Sequence, residues 1–241
     1  MQIKFKYIMS RIGIMAIFLL IFLGKTYSQS HEWETEGASF GFQIQPIIPN
    51  DMFRFRGETR NVQGTDFSLN PNPGYVAGAV IRFGVHRRFT LETGINYVRR
   101  PYEAIIETDG DTYRLDLRII SYELPLSATY HVRLGQQLYL TSTAGLSLYF
   151  LPSNLFVGEN PASIAAARRN WFTPSAKAAT GFEYRTENSG YFYIGPSYQF
   201  FFRDLYLTEI EFRRNGDSVT NRFFISGEYF GLIFRYTFPT G

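Results

Sequence analysis

The 241-residue chain contains three histidines and no cysteine, which limits the chemistry it can perform. A Ser or carboxylate acting on an ester needs a His base within hydrogen-bond reach and an acid behind that base. His31 falls in an N-terminal tail, His86 in a short turn and His131 at the end of an extended segment, none with a Ser and an acid beside it on one face. The absence of Cys removes thiol chemistry, disulfides and a lipoprotein anchor. Asp109-Gly110-Asp111 is an acidic turn without the remaining ligands of a Ca²⁺ loop. These patterns point to no catalytic residue, no metal and no cofactor, and the chain is expected not to be an enzyme.

A different set of charges stands out by its surroundings. Arg82, Glu92, Glu123, Lys177, Glu183 and Arg235 sit among Gly, Ser and Thr on one face of segments that alternate apolar and polar residues. Period-two alternation is the signature of a strand with two different faces. It is clearest near the C-terminus, where Phe230, Leu232, Phe234, Tyr236 and Phe238 oppose Gly231, Ile233, Arg235 and Thr237. The same pattern holds around Phe42, Ala79, Ile95, Leu124, Ala144, Ala178 and Ile194. That makes eight segments, and the architecture expected is an all-β, eight-stranded antiparallel transmembrane barrel.

The connections alternate in length. Short links fall at Val85 to Arg88, Arg133 to Gln136 and Thr186 to Gly190. Long ones fall at Ile48 to Pro73, Arg100 to Arg114, Leu151 to Asn170 and Arg203 to Arg222. Short periplasmic turns and long outer loops are the rule for outer-membrane barrels, and an even strand number puts both termini in the periplasm. The Ala-rich stretch Pro161 to Arg169 is expected to form a helical turn in the third outer loop.

A soluble β-sandwich also alternates, but three features favour the membrane. The segments are long enough to cross at a tilt. Their polar faces hold single scattered charges, and aromatic residues such as Tyr75, Tyr97, Tyr130, Tyr184, Tyr236 and Phe238 cluster near strand ends, where interfacial girdles belong. Pro125 and Pro196 lie inside strands and are expected to break the ladder locally, because each lacks an N–H.

An eight-stranded barrel has a lumen just wide enough for side chains to fill. Charges of both signs in that space should pair, since an unpaired buried charge is costly. Arg82, Glu92, Glu123, Lys177, Glu183 and Arg235 are therefore expected to form a structural ion-pair network that plugs the lumen.

Residues 1–28 carry Lys4, Lys6, Arg11 and Lys25 around an apolar run from Ile12 to Leu23, the pattern of a secretory signal peptide. Residues 29–38 then form a short tail and residues 39–241 the barrel. Removing the signal leaves 20 basic against 21 acidic side chains, so the basic pI of about 9.0 gives no footprint for nucleic acid. The partners expected are outer-membrane lipid and lipopolysaccharide, the latter through Arg99 and Arg100 at the start of a long outer loop. Arg recognises phosphate by bidentate contacts.

The stretch Ile119 to Val132, with Tyr122-Glu123-Leu124-Pro125-Leu126 at its centre, resembles the signature of the PorT-like outer-membrane β-barrel proteins of the Bacteroidetes. Leu91 to Arg100 is similar to the family's preceding strand, and the end at Phe238 to its aromatic C-terminus; Ser127 and Thr129 depart from the more apolar or basic residues usual after the Pro. The resemblance implies a small eight-stranded barrel in the outer membrane of a Gram-negative bacterium. It further implies an accessory role in the envelope, linked to type IX protein secretion or gliding and to the proteins of such a complex. Alternatives from other classes are a surface-binding or adhesion barrel acting through its outer loops, and a narrow channel or transporter.

Overall fold

A computed structural model describes residues 37–49, 59–108, 110–214 and 217–239. The expected signal peptide, His31 and Asp109 lie outside them.

Eight long strands form the barrel: β1 (Ala38–Pro49), β4 (Gly74–His86), β5 (Phe89–Thr108), β6 (Asp111–Arg133), β7 (Leu138–Phe150), β10 (Phe172–Arg185), β11 (Tyr191–Phe201) and β14 (Tyr229–Thr237). Every neighbouring pair is antiparallel, and the pairings of β5 with β6 and of β1 with β14 close the ring. Closure follows from the alternation, because every strand has an apolar face to turn outward and a polar one to hide. In β1, Phe40, Phe42 and Ile44 are exposed, while Ser39, Gly41, Gln43 and Gln45 are buried.

Outward aromatic residues collect in two belts. Phe89 packs on Tyr130 and Phe192 on Tyr236 toward the short turns; at the other end Tyr97 lies between Tyr75 and Tyr122, and Phe150 packs on Phe172. Exposed aliphatic residues such as Ile44, Ile95, Leu126, Leu146 and Ile194 fill the band between them. At ordinary rise and tilt that band is roughly 20–30 Å tall, the thickness a bilayer core requires.

The breaks at proline are one-sided. The β5–β6 ladder stops at Thr93↔Leu126 and resumes at Asn96↔Glu123, whereas Pro125 stays in register with Ser147 on β7. Pro196 likewise interrupts pairing with β10 and keeps its rung with Leu232 on β14. Pro46 does the same between β1 and β14. In an antiparallel sheet each residue directs its N–H to one neighbour only, so a proline opens one ladder. At the first site the Thr93 hydroxyl donates to the Pro125 carbonyl at 2.9 Å.

The long connections are built of strands. β2 (Thr59–Val62) and β3 (Thr65–Pro71) form a hairpin alongside the outer part of β5. Its two-residue turn has Gln63 at φ 51° and Gly64 at φ 78°, both left-handed, the twist a tight hairpin needs. The β5–β6 hairpin runs on past the barrel to Thr108↔Asp111. β8 (Leu155–Glu159), β9 (Ala162–Arg168), β12 (Tyr206–Arg214) and β13 (Asp217–Ile225) make a separate four-stranded sheet. The helical turn expected at Pro161 to Arg169 is therefore wrong. Ala162, Ile164 and Ala166 alternate into an apolar core, and the ladders to β8 and β12 override the helix propensity of alanine.

That core lies between the β2–β3–β5–β6 extension and the four-stranded sheet, and joins Phe67, Leu69, Ile106, Leu117, Ile164, Ile210, Phe212 and Phe223 in one buried cluster. Arg60 Nη1 donates to the Arg222 carbonyl at 3.3 Å, tying β2 to β13. The elaborated end of the barrel thus carries an apolar-cored cap.

Candidate functional site: the lumen

Arg82 and Glu92 face each other directly across β4 and β5, with Arg82 Nη2 3.0 Å from Glu92 Oε1. The same nitrogen reaches Glu183 Oε2 at 2.7 Å. From β10, Glu183 lies four strands away in a ring of eight, so this bond spans the lumen. Arg235 on β14 reaches Glu92 Oε2 at 2.7 Å and donates to Gln43 Oε1 at 3.3 Å. Gln43 donates to Asn96 at 2.8 Å and Asn96 to Glu123 Oε2 at 2.9 Å. Arg82, Glu92, Glu183 and Arg235 are all buried, and pairing is what makes their burial tolerable.

Two residues expected in the ion-pair network lie in the lumen without joining it. Glu123 is held by Asn96 and by Ser147, whose hydroxyl donates at 2.7 Å. Among the described residues no carboxylate lies within 4.0 Å of Lys177. The register explains both. Lys177 pairs with Gly145, whereas Glu123 pairs with Tyr149, four residues further along β7. Lys177 instead lines a cavity of about 10 Å³ with Gln43, Glu92, Thr143 and Arg235, room for about one water.

Toward the short turns, Glu183 Oε1 accepts from Arg185 Nε at 2.7 Å. Arg185 Nη2 lies 3.2 Å from His131 Nδ1, and His131 Nε2 lies 2.9 Å from the Thr90 hydroxyl. Thr90, His131 and Glu183 thus come together as a hydroxyl, an imidazole and a carboxylate. Guanidinium can only donate, so Nδ1 is the acceptor and the ring proton sits on Nε2. That tautomer donates to Thr90 and cannot take its proton, the reverse of what an activated nucleophile needs.

Toward the cap, Arg100 is 1% exposed. Its guanidinium carbon lies 5.1, 5.3 and 5.2 Å from the rings of Tyr149, Phe201 and Tyr229, and Nη1 donates to Ser121 at 2.9 Å. The Tyr149 and Tyr229 hydroxyls meet at 2.9 Å. Arg100 therefore faces inward and is no contact for lipopolysaccharide, contrary to expectation; Arg99 does face outward. The signal is present in the alternation, since Glu92, Gly94 and Asn96 lead in steps of two to Val98 and Arg100. Above this level the filling is apolar. Burial raises the Tyr206 hydroxyl above its ordinary range, and it donates to the Ser153 carbonyl at 2.9 Å.

A closed eight-stranded ring, apolar outside between two aromatic belts and ion-paired within, defines an integral β-barrel protein of the outer membrane. The chain belongs to the outer membrane protein beta-barrel domain family, whose model matches residues 27–228. In fold it is similar to the outer membrane protein OprG from Pseudomonas aeruginosa, with a TM-score of 0.51 and 12% identity over 84% of this chain and 97% of that one. The outer membrane protein AlkL, solved in DMPC bilayers, matches with a TM-score of 0.38 and 14% identity over 89% of this chain and 96% of that one. No curated protein matches the chain.

Proposed function

We propose that this chain is a closed, non-enzymatic barrel with a structural or accessory role in the envelope, its cap outside and both termini in the periplasm. The observation that carries this reading is the filling of the lumen. Ion pairs cross it from β4 to β10 and from β14 to β5, and the caged Arg100 and an apolar core follow above. A solute would have to displace paired charges and then a packed hydrophobic cluster. The narrow-channel alternative is correspondingly disfavoured.

The test is conductance of the purified barrel in planar bilayers. We expect no steady current from the wild type, and a steady current would overturn the reading. The orientation is tested separately by labelling a cysteine introduced at Ser218 on intact cells, where labelling is expected.

A second reading is favoured by the cap itself. Its two sheets share a core and hold Phe156 on an edge strand at 71% exposure, as a surface that binds another protein would. Under either reading the partners are outer-membrane lipid and envelope proteins. The PorT-like resemblance at Tyr122 to Leu126 makes a secretion or gliding complex the first place to look. Affinity purification from outer membranes separates the two readings, because loss of β8 and β9 would abolish capture in the second and spare it in the first.

A further inference from the structure

We propose that Arg99 and Arg118 form a binding site for the phosphate of a membrane lipid at the cap end of the barrel. Arg99 projects outward from β5 between the buried Val98 and Arg100, and Arg118 is exposed on β6. Their rungs are adjacent on that face, Arg99↔Ile120 and Pro101↔Arg118, which makes the two arginines diagonal neighbours about 7–8 Å apart at the backbone. Two guanidinium groups at that spacing can converge on one phosphate, each by a bidentate contact.

The level is right for a headgroup. One step toward the membrane lies the aromatic belt, with Tyr97 6.0 Å from Tyr75 and 6.1 Å from Tyr122 by ring centroids. Such belts mark the interface between hydrocarbon and headgroup. Arg99 lies over Tyr75 at 5.9 Å, which fixes its guanidinium at the upper rim of the belt. Its Nε is buried and has no hydrogen-bond partner.

The acids nearby leave the pair open. Glu103 and Asp116 form the next outward rung, but Glu103 is held by Arg114 at 3.2 Å. Among the described residues no carboxylate lies within 4.0 Å of Arg99 or Arg118. With the cap outside, as proposed above, the ligand is the phosphorylated glycolipid of the outer leaflet. The leaflet rests on that reading, whereas the phosphate chemistry does not.

The experiment measures retention of lipid A by the delipidated full-length barrel in detergent, using native mass spectrometry. Bisphosphorylated lipid A is compared with the same lipid after enzymatic dephosphorylation, for the wild type, Arg99→Ala/Arg118→Ala and Arg213→Ala, the last an exposed arginine near the tip of β12 that pairs with Glu211. Folding of each variant is verified by its heat-modifiable gel mobility. The wild type should retain the phosphorylated lipid at least about tenfold better than the double variant, on the scale of one hydrogen bond to a charged group. Dephosphorylation should abolish the difference and Arg213→Ala should leave retention unchanged. Equal retention by the double variant, equal retention of the dephosphorylated lipid, or an equal loss in Arg213→Ala would each overturn the site. An assay in detergent is blind to orientation, so failure of the site and failure of the cell-surface labelling remain distinct.

Discussion

Arg82 on β4 and Glu183 on β10 meet at 2.7 Å although their strands stand on opposite sides of the ring. Around that bond the charges alternate in a single chain, Arg185, Glu183, Arg82, Glu92 and Arg235, each sharing its neighbour. The members are not equivalent. Arg82 touches two carboxylates and Arg185 lies near the mouth, but among the described residues Glu92 is the one carboxylate that Arg235 reaches.

Glu92→Gln should therefore cost more than Glu183→Gln. The first leaves Arg235 buried without a carboxylate, a loss of about 3–5 kcal/mol. The second leaves Arg82 paired with Glu92 and Arg185 stacked on Tyr139 and Tyr191, and should cost less. Urea unfolding of both variants in lipid vesicles checks the order. Equal midpoints would contradict the chain of alternating charges.

Arg100 tests a different balance. Its Nε and Nη2 are buried without hydrogen-bond partners, and three aromatic faces supply its compensation. An apolar side chain of similar length avoids the desolvation of the charge. Arg100→Met should unfold at a denaturant concentration no lower than the wild type, whereas Arg100→Ala should lose about 2–5 kcal/mol through the void it leaves.

Gly231 faces the lumen where the Gln45 side chain crosses it, and a Cβ there would collide with the Gln45 amide. Gln45 donates to Ser197 at 2.9 Å and is fully buried, so it has little room to move. Gly231→Ala should destabilise by about 1–3 kcal/mol. Adding Gln45→Ala should restore part of that loss, and non-additivity in the double-mutant cycle is the measurement.

Arg168 anchors the end of β9. It donates to the Pro152 carbonyl at 2.7 Å and lies 3.5 Å over the Trp171 ring. Arg168→Ala should speed amide hydrogen exchange in β8 and β9 and leave the barrel strands unchanged. Exchange that rises equally in β10 and β11 would show that cap and barrel open as one unit.

Much of the barrel is legible in the amino-acid sequence. Alternation places Gln43, Arg82, Glu92, Glu123, Glu183 and Arg235 inward, because side-chain direction in a strand depends only on parity. Which charges pair depends on register around the ring, and parity carries no information about that. Lys177 and Glu123 share the inward face and sit at different heights. The cap is hidden for a related reason. Its strands β2, β3, β8, β9, β12 and β13 have 4 to 9 residues, and their Arg, Glu and Asn resemble loop composition until their partners are known. Arg100 misleads because a basic pair at an expected strand end has the character of a surface feature, although the strand continues to Thr108.

The pairing of the first strand with the last also governs how the molecule can be made. Gly41 lies beside Thr237, so the ring cannot seal until β14 has been delivered. Until then β1 and β11 each present a bare edge, able to recruit any strand nearby. Closing so long a loop is slow compared with forming the local hairpins. Between export and sealing those two edges stay open, and Tyr229–Thr237 closes both at once by pairing with β1 on one side and β11 on the other.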